Sequence, residues 1–97
     1  MITFEQAKET ATRYLISIWD VSDDTFVITR TQEEDFCWIF FWQSEKFLMT
    51  GKVSHVLTGN APLIISKKDG KIYSTGEPYD LNHWVKLFRE GKLSPVG

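Results

Sequence analysis

Phe4, Ala7, Ala11, Tyr14, Leu15 and Ile18 recur at helical spacing, while Glu5, Lys8, Glu9 and Arg13 fill the other side of the same turn pattern. Thr3 followed three residues later by Gln6 is a capping-box pair, so the spacing predicts a helix that starts at Phe4. Glu9 and Arg13 stand in the favourable i, i+4 order. Such a stripe serves either a partner or the chain's own core. A chain this short needs its one long helix for itself, which favours the core.

The period then changes. Asp20 to Thr25 carries Asp20, Asp23 and Asp24 and reads as a loop. Phe26 to Thr31 is short and β-branched, Gln32 to Asp35 is an acidic turn, and Phe36 to Trp42 is a strand apolar at every position. One face of that strand presents Phe36, Trp38, Phe40 and Trp42, the other Cys37, Ile39 and Phe41. Both faces want cover, so this strand is expected at the centre of a sheet, with the second face closed by a C-terminal helix and the crossover, or by a partner protein.

From Leu57 to Gly76 the chain encodes a hairpin with its entry and exit. Thr58 to Pro62 must turn, Pro62 holds Ala61 extended, and a strand is expected from about Leu63. Leu63, Ile64 and Ile65 run into the turn residues Lys68-Asp69-Gly70, and Ile72-Tyr73-Ser74 returns. Gly70 is expected at positive φ. The segment from Lys46 to Val56 fits either an edge strand or helical turns. Asp80 is a good N-cap for a final helix with Leu81, Trp84, Val85 and Phe88 on one stripe, Lys86 and Arg89 near its end and Gly91 as its stop. Leu93, Pro95 and Val96 read as a loose tail.

The order is helix, two strands, crossover, two strands, helix: an α+β domain with an N-terminal helix packed on a roughly four-stranded antiparallel sheet of two hairpins, and a short C-terminal helix. A chain of 97 residues has room for one domain over positions 1–97. With 42% hydrophobic residues, 14% aromatic and four Trp, the composition is that of a folded core rather than a disordered chain.

Charge narrows the function. A net charge of −2 argues against a broad nucleic-acid-binding face, which needs clustered cations. Lys67, Lys68 and Lys71 surround a tight turn interrupted by Asp69 and read as a solvated hairpin tip. No run approaches membrane-spanning length, and the N-terminal residues turn polar at once without a secretory pattern, so a cytoplasmic protein is expected. The single Cys37 lies in an apolar strand, where a buried inert thiol is usual. A Cys37–His55 nucleophile pair is the one catalytic reading available, and a thiol amid aromatics is poorly placed for it. His55 and His83 lack the neighbouring ligands of a metal site, and neither cofactor nor metal is expected.

The hairpin segment also carries a resemblance. Gly59, Asn60, Ala61, Pro62, Ile64, Ile65, Lys67, Gly70, Ile72 and Gly76, together with the run Trp38 to Trp42, Ser44 to Leu48, and Thr50-Gly51, resemble the YrhB-like, immunity protein 35 family of small bacterial proteins. The likeness covers essentially the whole chain. It implies a non-catalytic protein of bacterial polymorphic toxin systems that binds and neutralises a cognate toxin or effector in a stoichiometric complex. A general chaperone-like stress role is also associated with a YrhB-like member of this family. In element order the chain looks cystatin-like and similar to the inhibitory propeptides of streptopain-type proteases, which would imply an inhibitor of a papain-like cysteine protease.

For a partner-binding role the expected contact residues are the acidic turn Glu33, Glu34 and Asp35, with Trp38, Trp42 and Tyr73 as aromatic anchors. The same aromatics would serve equally as core. An edge strand at Phe26 or Ile72 is open to a second copy of the chain, so a homodimer stays open as well.

Overall fold

In the computed structural model, residues 1–19, 24–51, 61–76 and 80–96 are described. Thr3 opens α1 (Phe4–Ile18): its hydroxyl accepts the Gln6 N–H at 3.1 Å, and the Gln6 side chain accepts the Thr3 N–H at 2.9 Å. The Arg13 guanidinium pairs with Glu9 along the outer face. Ala7, Ala11 and Leu15 form the buried stripe, so the small residues let the helix lie close on the sheet.

The sheet follows as a meander. β1 (Phe26–Glu33), β2 (Cys37–Ser44), β3 (Leu63–Ser66) and β4 (Ile72–Ser74) lie in the order β1-β2-β3-β4, each antiparallel to its neighbour. α2 (Glu45–Thr50) grows directly from the end of β2, and Gly51 stops it at φ 68°. This resolves the ambiguous crossover as helix up to Gly51; the remainder, with Val53, His55 and Leu57, lies outside the described residues. α3 (Leu81–Arg89) begins at the expected cap, where the Asp80 side chain accepts the His83 N–H at 3.1 Å.

Alternation along β2 divides the core in two. Trp38, Phe40 and Trp42 join Leu63 and Ile65 beneath Ala7, Ala11 and Leu15 of α1. Cys37, Ile39 and Ile64 face the other way and pack with Val85, with Leu81, Trp84, Phe88, Tyr73 and Phe41 closing around them. The double-sided strand is therefore central, and α3 takes the second face. Phe4 stacks on Phe40 with ring centroids 6.0 Å apart, Trp19 meets Trp42 edge-on at 6.5 Å, and the Arg30 guanidinium sits 4.2 Å above the Phe41 ring.

Three boundaries differ from the sequence reading. β1 continues through Gln32 and Glu33, because Glu33 still registers opposite Trp38. The turn tightens after it: the Glu34 N–H donates to the Cys37 carbonyl at 2.8 Å, which leaves Phe36 in the bend, 64% exposed, rather than on a strand face. The tail is not loose at Val96, whose N–H donates to the Ile72 carbonyl at 2.8 Å and lies along the outer edge of β4.

Candidate functional site

The two hairpin ends meet. Because β2 and β3 run antiparallel with Cys37 opposite Ser66, the β1–β2 turn and the β3–β4 turn share one end of the sheet. The Lys67 N–H donates to the Phe36 carbonyl at 3.0 Å, and the Ile2 N–H donates to the Lys67 carbonyl at 3.0 Å, so three segments are tied together there. The β3–β4 turn is itself closed by Gly70 N–H to the Ser66 carbonyl and by Ser66 N–H to the Lys71 carbonyl, both at 2.9 Å. Gly70 occupies φ 73°, as its position in the turn requires.

This end of the sheet forms a cleft of about 690 Å³. Phe36, Tyr73 and Phe88 supply its apolar surface, Asp35, Lys68 and Arg89 much of its charge. Tyr73 and Phe88 meet edge-on with centroids 5.0 Å apart, a contact that fixes both rings against each other. α3 contributes through its last turn, since Phe88 completes the apolar stripe and Arg89 lies one residue beyond it, exposed.

The residues expected to bind a partner are distributed unevenly around this cleft. Asp35 lies on it, exposed, and Tyr73 lies on it, half-buried. Glu33 is committed to Lys67, whose ammonium is 2.6 Å away. Trp38 and Trp42 are each only 8% exposed and belong to the core beneath α1. The Trp42 indole N–H donates to the Ala61 carbonyl at 2.9 Å, holding the ring in place beside the entry to β3. Trp38 keeps one accessible edge in a groove of about 350 Å³ beside Phe4, Thr31 and Glu33.

Lys67 departs from a solvated hairpin tip. Its side chain is only 12% exposed, runs 5.1 Å over the Trp38 ring and ends on Glu33, so its stem covers apolar surface while its charge is met. Phe36, Phe88 and Arg89 are cleft residues that the sequence places in strand and helix but does not mark as contact residues. An aromatic directly after three acidic residues was the available signal for Phe36, since a turn that short cannot tuck every side chain under the sheet.

The carboxylates serve different purposes. Asp24 is half-buried and structural: it accepts the Lys46 N–H at 3.1 Å, the Thr25 N–H at 2.7 Å and the Ser44 hydroxyl, and Ser44 in turn accepts the Phe47 N–H at 3.2 Å. Burial pushes the Asp24 carboxyl up, but these hydrogen bonds outweigh it and hold the group below the ordinary 3.8. Asp69 is held low chiefly by the Lys71 N–H, which donates to it at 3.0 Å within the turn. Asp20 and Asp23 lie outside the described residues.

Cys37 is 1% exposed, and burial, aided by Glu34, raises its thiol to about 11 against the opposing influence of Arg89 and Lys67. A thiolate is therefore scarce at neutral pH, the reverse of a reactive cysteine. Among the described residues no three His, Cys, Asp or Glu side chains gather into a group able to hold a metal ion, and no helix is long and apolar enough to cross a membrane.

Fold and site together define a small α+β domain with helices on both faces of an antiparallel meander and a mixed apolar and charged cleft at one sheet end. The sequence model of immunity protein 35 matches residues 5–86. The uncharacterized protein YrhB of Escherichia coli K12 is 36% identical over 94 residues, covering 97% of this chain and 96% of its own length. No solved structure matches. The chain belongs to the immunity protein 35 family.

Proposed function

We propose that this protein is a non-catalytic immunity protein: residues 1–97 act as one domain that forms a stoichiometric complex with a cognate toxin or effector in the cytoplasm and neutralises it. Family membership carries the class of function. Phe36 carries the location, as a large aromatic left 64% exposed on a turn that is itself rigidly bonded. Fully burying such a side chain is worth roughly 1.5–3 kcal/mol, and at this exposure the fold leaves part of that for a partner to recover.

The contact surface in this reading is the cleft end of the sheet, with Asp35, Phe36, Tyr73 and Phe88 at its centre. Glu34 borders it from the same turn, and Glu33, through Lys67, keeps that turn in register with the β3–β4 turn. Trp38 and Trp42 belong to the core beneath α1, on the sheet face opposite Tyr73 and Phe88, and are not contact residues in this reading. The buried, protonated Cys37 favours binding over chemistry of the protein's own.

Co-purification of the tagged chain with the product of the adjacent gene, followed by titration calorimetry on the pair, tests this function. A one-to-one complex of about nanomolar affinity or tighter is the expected result. Failure to find a specific partner, with suppression of aggregation of unrelated unfolded proteins instead, would replace the immunity reading with a chaperone-like one.

A further inference from the structure

The outer edge of β4 is closed by the chain itself. Next to the β3–β4 turn the Ser66 N–H donates to the Lys71 carbonyl at 2.9 Å, and the register runs on as Ile65 opposite Ile72, Ile64 opposite Tyr73 and Leu63 opposite Ser74. Hydrogen-bonded and non-hydrogen-bonded pairs alternate in an antiparallel ladder, so Tyr73 turns its backbone groups toward β3, while Ile72 and Ser74 turn theirs outward. The outward Ile72 carbonyl accepts the Val96 N–H at 2.8 Å, with Val96 running antiparallel to it. Continued by one residue, the same register brings Pro95 level with Tyr73. The backbone groups of Pro95 then point away from β4, where an N–H would be open to a further strand, and Pro95 has none. Residues 93–96 thus cover β4 without offering a new donor beyond it.

This cover is lightly held. α3 is closed off before it, by the Gly91 N–H to the Phe88 carbonyl at 3.1 Å and the Lys92 N–H to the Leu87 carbonyl at 2.9 Å. Among the described residues no backbone hydrogen bond holds Leu93, Ser94 or Pro95, and Ser94 and Pro95 are exposed. The edge beneath is self-complementary. With a twofold axis at Tyr73, Ile72 of one copy faces Ser74 of the other, and these are the two residues whose backbone groups point outward. We propose that residues 93–96 are a releasable strap that keeps β4 from pairing with the β4 of a second copy, and that release joins the two sheets into one antiparallel sheet across both copies. The opposite edge has its own protection, since β1 is broken by a register shift between Ile28 and Arg30 and carries Arg30 and Glu33 exposed. The strap goes beyond the immunity reading and does not depend on it.

In the full chain, Val96→Pro removes the strap's donor and Val96→Ala keeps it. Sedimentation equilibrium should show Val96→Pro dimerising at least about threefold more tightly than the wild type or Val96→Ala, the scale of one backbone hydrogen bond. Amide exchange at Ile72 and Ser74 in Val96→Pro should slow as protein concentration rises. Adding Ser74→Pro, which removes an outward donor from β4, should return association to the wild-type level. In the unaltered protein the Val96 amide should exchange faster than those of Ile64 and Tyr73, because it needs only release of the strap. Equal association of Val96→Pro and Val96→Ala, concentration-dependent protection on β1 in place of β4, or a Val96 amide that exchanges only with global unfolding would overturn the assignment. The last of these is read on the unaltered chain, so it decides even if Val96→Pro does not fold.

Discussion

Single residues in this chain are committed more often than their surface chemistry suggests. Asp24 looks like one of a loop's solvated acids, yet it joins the start of β1 to the start of α2 through Ser44 and two backbone amides. Its carboxyl is depressed in the folded state, so its contribution to stability is present above the ordinary carboxyl value of 3.8 and is lost as pH falls through the lower folded value. Urea unfolding followed between about pH 5 and pH 2 should show a shallower loss of stability in Asp24→Asn than in the wild type, from a lower starting point at neutral pH. A parallel pH dependence in the two proteins would remove Asp24 from that role. Cys37 gives a second residue-scale expectation. With its thiol raised to about 11 and buried, it should react with a disulfide reagent at neutral pH only as fast as the protein opens, and promptly in denaturant.

At the scale of elements, the strand that is apolar at every position explains the layering. Ile39 and Phe40 are adjacent, both are 0% exposed, and they serve opposite faces. Ile39→Ala and Phe40→Ala should each cost about 3–5 kcal/mol in chemical denaturation, a loss on either face showing that both helices are structural. A loss well under 1 kcal/mol at Ile39 would mean that α3 does not close the second face. Gly70→Ala should cost about 1–2 kcal/mol, since φ 73° disfavours any Cβ and the added atom would come 3.4 Å from Ile2.

The same elements show what was legible in the sequence. The capping box at Thr3, the cap at Asp80, the start of β3 at Leu63 and the positive φ of Gly70 are all local signals, and each is found where the residues place it. The two-sided character of β2 was equally local. What covers its second face was not, because the stripe Leu81, Trp84, Val85 and Phe88 carries no address: only the tertiary arrangement sends it to Cys37, Ile39 and Ile64. The candidate site was harder still. Trp38 and Phe36 lie two residues apart on what reads as one strand face, and ending the strand at Cys37 buries the first and exposes the second. Val96 joins β4 for a similar reason, since one backbone bond to Ile72 is invisible in composition.

For the molecule as a whole, the layers leave one end of the sheet as the place where turns, α3 and the N-terminal segment converge. Phe36→Asp should separate binding from folding. At 64% exposure it should change stability by no more than about 0.5 kcal/mol, while weakening the partner complex at least about tenfold. The most direct measurement of the central claim is amide hydrogen exchange of the protein alone and in complex with the product of the adjacent gene. Protection should rise in the β1–β2 turn, the β3–β4 turn and the last turn of α3, and stay unchanged along the outer face of α1. Protection centred on α1 or α2, with the cleft unaltered, would contradict the account.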